Sequence, residues 1–242
     1  MKIKYIFILI PVAFLSCVNQ TKKHDNTVNV ELLNYNSDVS NTHDSDSDTT
    51  QTIDFENYKL LDLGYISIPV NMEVQSGNLK IFMDSIKKEY GISGNRVVFQ
   101  PKGTNEVEEN SLSTYARVII KTNLGNYGDF EKLTTNYTAT QAELNELNSE
   151  LKKDMELSAL EMGGKLISWY GVSIEKINGK SALKYAYLRQ LKDNPCVVTT
   201  IYMFENNDRV HTLLFEYRQS DEVTWEPLFS KILNSFVITN VR

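Results

Sequence analysis

Cysteine and histidine are scarce in this chain. Two cysteines, Cys17 and Cys196, and three histidines, His24, His43 and His211, occur among 242 residues. Cys17 lies in a leader and Cys196 in the folded part, so the pair offers no disulfide framework. No HExxH, no paired cysteines and no glycine-rich phosphate loop occurs, which removes the commonest zinc and nucleotide signatures. No basic block occurs either. Formal net charge is −6, and it is unevenly spread. Between positions 18 and 56, Lys22 and Lys23 face eight carboxylates, so nearly all the net charge lies there and residues 57–242 are close to neutral. A near-neutral domain without a basic patch argues against a nucleic-acid partner.

The chain does have a marked beginning. Met1-Lys2-Ile3-Lys4 is a short basic segment, and residues 5–15 are an apolar run too short to span a bilayer comfortably. The run ends in Ala13-Phe14-Leu15-Ser16-Cys17. This resembles a bacterial lipoprotein signal, with small Ser16 before the cut and Cys17 taking the lipid. Phe14 departs from the pattern, which puts Leu, Val or Ile at that place. The resemblance implies that residues 1–16 are removed and that Cys17 is multiply acylated, with palmitate among its chains. Each buried CH₂ is worth about 0.8 kcal/mol, and stable anchoring needs more than one chain. Val18 rather than Asp follows Cys17, and no acidic cluster comes soon after. By the same resemblance, this favours the outer membrane with the domain facing the periplasm, and leaves surface display open.

Residues 17–56 read as a disordered acidic tether. They are rich in Asn, Ser, Thr and Asp, with only scattered apolar residues such as Val28, Val30, Leu32 and Leu33. Such a segment buries too little surface to offset its ordering entropy. About 40 residues of flexible chain reach on the order of 35 Å. Asp44-Ser45-Asp46-Ser47-Asp48 invites a calcium reading, but an EF-hand loop would need Gly where Thr49 stands and Glu where Phe55 stands. Asp48-Thr49-Thr50 resembles the three-residue acceptor of a bacterial O-glycosylation system, which makes Thr49 a candidate glycan site; Asp84-Ser85-Ile86 matches it too.

The remainder, 57–242, reads as one domain. Residues 58–63 and 65–70 suggest a hairpin turning at Gly64, with Pro69 at a strand end. Leu79, Phe82, Met83, Ile86 and Tyr90 recur at helical spacing, and Gly91 follows. Residues 97–100 and 115–122 are β-rich, and the loop between them carries Glu106, Glu108 and Glu109, read as a solvated loop and not a metal site. Thr140-Gln141-Ala142-Glu143 is a capping box. Behind it Leu144, Leu147, Leu151, Met155 and Ala159 form one narrow apolar stripe, closed by Gly163-Gly164.

The clearest segment is 166–236, which reads as four consecutive strands closed by a helix. Asn178-Gly179 suits a type I′ hairpin turn, because both central positions need positive φ. Asp193-Asn194-Pro195 and Asn206-Asn207-Asp208 mark the next two turns. Leu183, Tyr185 and Tyr187 alternate with Ala182, Ala186 and Leu188. Val198, Tyr202 and Phe204 alternate with Val197, Ile201 and Met203. Both faces are apolar, so both are to be covered. The fold class expected is α+β: three layers, α/β/α, around a central antiparallel sheet. Pro227 suits the first position of the last helix, whose buried face is Leu228, Phe229, Ile232, Leu233 and Phe236.

This element order resembles the PsbP-like superfamily, which includes a photosystem II extrinsic protein and a Ran-binding nuclear import factor. The residues carrying the resemblance are Ile177-Asn178-Gly179-Lys180-Ser181-Ala182, the stretch 202–217, and Ile232-Leu233-Asn234-Ser235-Phe236. It implies an accessory or binding protein and supplies no catalytic set. The residues themselves supply none either: His211 shares a strand face with Leu213 and Phe215, and nothing in the spacing pairs it with Cys196, read as a buried thiol. Trp169 and Tyr170 face opposite ways and read as core and flank. No enzyme activity, cofactor or metal is expected. The function expected is a lipid-anchored, non-catalytic envelope module, binding or accessory to another envelope component, with an envelope protein or glycan as its partner. The alternatives are a small-molecule or glycan-binding lipoprotein, with a pocket near Trp169, Tyr185, Tyr187 or Tyr202, and a hydrolase using Cys196 or a serine beside His211.

Overall fold

In a computed structural model of the chain, residues 30–32, 53–77, 80–81, 96–106, 113–136 and 138–242 are described. The leader, Cys17, Thr49, Glu108, Glu109 and most of the helix expected at 79–90 lie outside them.

The Asn178-Gly179 turn starts the four-strand run that makes most of the larger sheet. Both residues have positive φ, 48° and 76°, as a type I′ turn requires. The turn joins β7 (Gly164–Ile177) to β8 (Lys180–Leu191). The chain returns through β9 (Val197–Glu205) and β10 (Arg209–Arg218), turning at Asn207 with φ 63°. Three further strands complete this sheet: β4 (Met72–Val74), β5 (Arg96–Pro101) and β6 (Ala116–Leu124). Its order is β4-β5-β6-β10-β9-β8-β7, antiparallel throughout, with β7 at an edge.

Alternation along the strands divides the core in two. Leu183, Tyr185, Tyr187, Ile201 and Met203 face α1 (Gln141–Glu161), which meets them with Leu147, Leu151 and Met155. Thr140 caps this helix through the expected reciprocal box with Glu143. Gly163, φ 71°, turns the chain into β7. The other face carries Leu188, Val198, Tyr202, Phe204, Leu213 and Phe215. It is covered by α2 (Glu222–Ser235), through Trp225, Leu228, Phe229 and Ile232, and by a second sheet. That sheet runs β1-β2-β3-β11: β1 (Val30–Leu32), β2 (Phe55–Leu60), β3 (Gly64–Pro69) and β11 (Val237–Ile238). The architecture is therefore α+β, with a central antiparallel sheet covered on both faces. Each fully buried Leu or Phe on these faces contributes roughly 1.5–3 kcal/mol by removal from water.

Three local expectations are corrected. Val30–Leu32, placed in the disordered tether, pairs with β2, Leu32 standing opposite Tyr58; an edge strand needs few apolar residues when its partner supplies the ladder. Gly64 is not in the turn. Asp62 supplies the positive φ there, and Gly64 is the first residue of β3, where an added Cβ would run into the Val237 carbonyl of β11. Pro227 lies inside α2 and not at its first position, because the helix already starts at Glu222. The N–H it lacks would have bonded the carbonyl of Val223 in the exposed first turn.

Candidate functional site

Cross-strand register builds a trough on the α2 face, beside the β7 edge. Gly171 of β7 stands opposite Ala186 of β8, Ala186 opposite Thr200 of β9, and Thr200 opposite Phe215 of β10. Three small residues in a row leave a depression across three strands. The next row raises one wall: Ser173 opposite Lys184, and Lys184 opposite Tyr202. On the other side Val198 stands opposite Tyr217. Phe229, Ser230 and Leu233 of α2 close the long side, and Glu222 and Glu226 stand at its N-terminal end. The resulting cavity is open to solvent and holds about 550 Å³, within the size range of small-ligand sites.

A β-bulge shapes the outer edge of the trough. The β7–β8 register shifts between Trp169 and Gly171, and Gly171 takes φ 96°. The extra residue puts Trp169 and Gly171, two positions apart, on opposite faces of the sheet, with Tyr170 between them. Trp169 goes to the α1 face, stacks on Tyr185 and Tyr187 with centroids 6.0 and 6.2 Å away, and donates its indole N–H to Asn148 Oδ1 at 2.7 Å. Tyr170 is 56% exposed and lines the trough. Of the four aromatic residues expected near a pocket, only Tyr202 lines it; Trp169, Tyr185 and Tyr187 pack beneath α1.

Charge is distributed along the trough. Lys184 Nζ donates to Glu175 Oε1 at 2.8 Å and lies 5.7 Å from the centre of the Tyr202 ring. Burial alone would lower the Lys184 pKa, but the Glu175 hydrogen bond and Tyr202 outweigh it and the net direction is upward. At the other end burial first, then the charges of Glu222 and Glu226, push the Tyr217 hydroxyl up to about 12.

Elsewhere, Cys196 is a free, half-buried thiol just before β9. His211 pairs with Phe204 at the far end of the same hairpin. Eight residues of extended strand separate Phe204 from Cys196, about 26 Å, so the two do not meet. His211 instead faces Thr122 Oγ1 at 2.9 Å and Asn206 Nδ2 at 3.1 Å. Asn206 Oδ1 accepts the Arg242 N–H, so its amide nitrogen is the group that donates to His211 Nε2. His211 is therefore neutral, with its proton on Nδ1. Burial, then the nearby Arg209, lowers its pKa to about 3. Glu106 sits in a 3₁₀ turn, and among the described residues no cluster of His, Cys, Asp and Glu could hold a metal ion.

The chain is similar to cyanobacterial PsbP (CyanoP) from Synechocystis sp. PCC 6803, solved in solution. Identity is 12%, TM-score 0.44, and the match covers 80% of this chain and 98% of that one. It is also similar to a protein of unknown function from Pseudomonas aeruginosa, at 13% identity and TM-score 0.33, covering 76% of this chain and 96% of that one. Likeness of this degree assigns neither a family nor a function. The chain matches no protein-family model and no curated protein.

Proposed function

We propose that this chain is a lipid-anchored, non-catalytic binding protein of the bacterial cell envelope, and that its domain takes an envelope glycan in the trough between β7, β8 and α2. The membrane address rests on the leader and Cys17. The domain then works on a tether, facing the periplasm from the outer membrane. The observation that carries the binding role is the lining: Tyr170, Tyr202 and Tyr217 beside Ser173, Thr200, Gln219 and Ser230. Aromatic faces suit sugar C–H surfaces, and hydroxyl and amide groups suit sugar hydroxyls. Neither Cys196 nor His211 belongs to that lining.

Two measurements test the two halves. Labelled palmitate should enter the native protein and be lost in Cys17→Ser; equal labelling of both, or of neither, removes the anchor. Glycan isolated from the native envelope should retain the purified chain. Ala186→Leu, which fills the floor of the trough, should release it with the thermal melt unchanged. Retention of the variant would place the contact elsewhere. Intact-mass measurement of the native protein should also show a glycan on Thr49; a mass of protein plus lipid alone removes that modification.

A protein partner is the second reading. Leu157, Leu160, Met162 and Ile167, at the end of α1 and the start of β7, are 49%, 65%, 38% and 42% exposed. Exposed apolar side chains gathered in one short segment suit a docking contact. Replacing Leu157 and Leu160 by Gln would abolish a protein complex on this face and leave glycan retention intact.

A further inference from the structure

The charges of the trough are not balanced along its length. Lys184 is satisfied within the fold by Glu175 at 2.8 Å. Glu222 and Glu226 are four residues apart on α2, so their carboxylates stand on one side of the helix, and both line the trough. Among the described residues neither has an ion-pair partner. Across from them stand Tyr170, more than half exposed, and Tyr217, almost fully buried, both lining the same end of the trough. Two carboxylates and two tyrosine rings at one end of a cavity make a cation-selective corner: the carboxylates accept N–H donors, and the negative ring faces attract the same charge.

We infer that the trough is selective for a saccharide bearing a free, protonated amine, its ammonium seated among Glu222, Glu226, Tyr170 and Tyr217. This rests on the glycan-binding reading and goes one step further, to the charge of the sugar. A neutral N-acetylated sugar of the same shape would cover the carboxylates without giving them a cation, and covering an unpaired charge is costly. An anionic sugar meets two like charges. Lys184 does not reverse this preference, because Glu175 already neutralises it. The rest of the ring lies over the floor made by Gly171, Ala186 and Thr200.

The test is a calorimetric titration of the full chain with two probes at about pH 6: the β-1,4-linked trisaccharide of glucosamine and its N-acetylated counterpart. They share a ring skeleton and differ in the charge on nitrogen. The amine form is expected to bind at least about tenfold more tightly. Glu222→Gln with Glu226→Gln should erase that difference, and added salt should shrink it. The paired substitution touches two exposed positions, so an unchanged thermal melt verifies the fold. Equal or tighter binding of the N-acetylated form overturns the amine inference and leaves the glycan site standing. A preference that survives the paired substitution also overturns it, since the amine is then held elsewhere. No binding of either probe overturns the amine inference, and retention on native envelope glycan then decides the glycan reading separately.

Discussion

Arg189 Nη2 donates to Glu216 Oε1 at 2.8 Å, with 10% of one side chain and 5% of the other exposed. The pair sits on the α1 side of the sheet. Glu216 also accepts from Tyr115 OH at 2.9 Å and from Thr199 Oγ1 at 3.4 Å. Burial opposes the charge on Glu216, but Arg189 and Arg117 outweigh it and hold its pKa below the usual 4.5. Breaking such a pair leaves one buried charge alone. Glu216→Gln or Arg189→Met should each cost about 3 kcal/mol or more, whereas Arg189→Met with Glu216→Leu should cost much less. Urea unfolding of the three variants measures this. Because the folded pKa is depressed, the contribution of Glu216 is present above its unfolded pKa and is lost as pH falls below it.

His211 imposes a pH dependence in a higher window. Its folded pKa is about 3 against 6.5 when unfolded. Between those values the unfolded state binds the extra proton, so stability rises with pH. The slope from this one group is about 1.4 kcal/mol per pH unit at its steepest. His211→Gln keeps a polar group between Thr122 and Asn206 but cannot titrate. Subtracting the variant's urea midpoints from those of the parent, from about pH 3.5 to 7, isolates the histidine from the carboxylates that titrate alongside it. A difference that stays flat would mean that protonated His211 is accommodated in the folded state.

Much of this was legible in the chain. Asn178-Gly179, the alternation in β8 and β9 and the capping box at Thr140 each carry a local rule that the fold obeys, because their environment agrees with their propensity. The trough was not legible. It depends on which small residue stands opposite which, and register across three strands is absent from any single strand's pattern. Gly171 illustrates the point: strict alternation puts it on the same face as Trp169, and only the bulge sets it opposite Ala186 in the trough. Tertiary contact likewise gave Gly64 a role that its turn propensity did not suggest. The network in which Asn206 Nδ2 donates to His211 Nε2 and to the Asn240 carbonyl was equally hidden, since Asn206 reads as a turn residue and is in fact fully buried.

Gly64→Ala tests that tertiary role. The added methyl would displace the Val237 carbonyl, and with it the pairing of Val237 to Tyr65 and Ile238 to Gly64. Ile238 would leave the core, and the Thr239 and Asn240 N–H groups would lose the Leu63 carbonyl. The expected cost is about 2 kcal/mol or more, in the range of a lost buried aliphatic side chain. Hydrogen exchange should show deprotection concentrated at residues 237–242. An even loss over the whole domain would show that β11 is not a separable unit.

Gly171→Val links backbone conformation to the trough. At φ 96° a β-branched residue is strongly disfavoured, although the nearest atom to an added Cβ, Asn148 Oδ1, is 3.6 Å away. Space is therefore not the obstacle. The chain should relieve the strain by straightening the bulge, which shifts Tyr170 away from Tyr217 while Trp169 stays pinned by Asn148 and the Tyr185–Tyr187 stack. Retention on envelope glycan should fall at least about tenfold, with tryptophan fluorescence and the near-ultraviolet spectrum of the aromatic stack little changed. Gly171→Asn tolerates positive φ better and should retain more binding than Gly171→Val. If valine and asparagine behave alike, the bulge conformation does not set the position of Tyr170, and the trough owes its shape to the small residues at 186 and 200 alone.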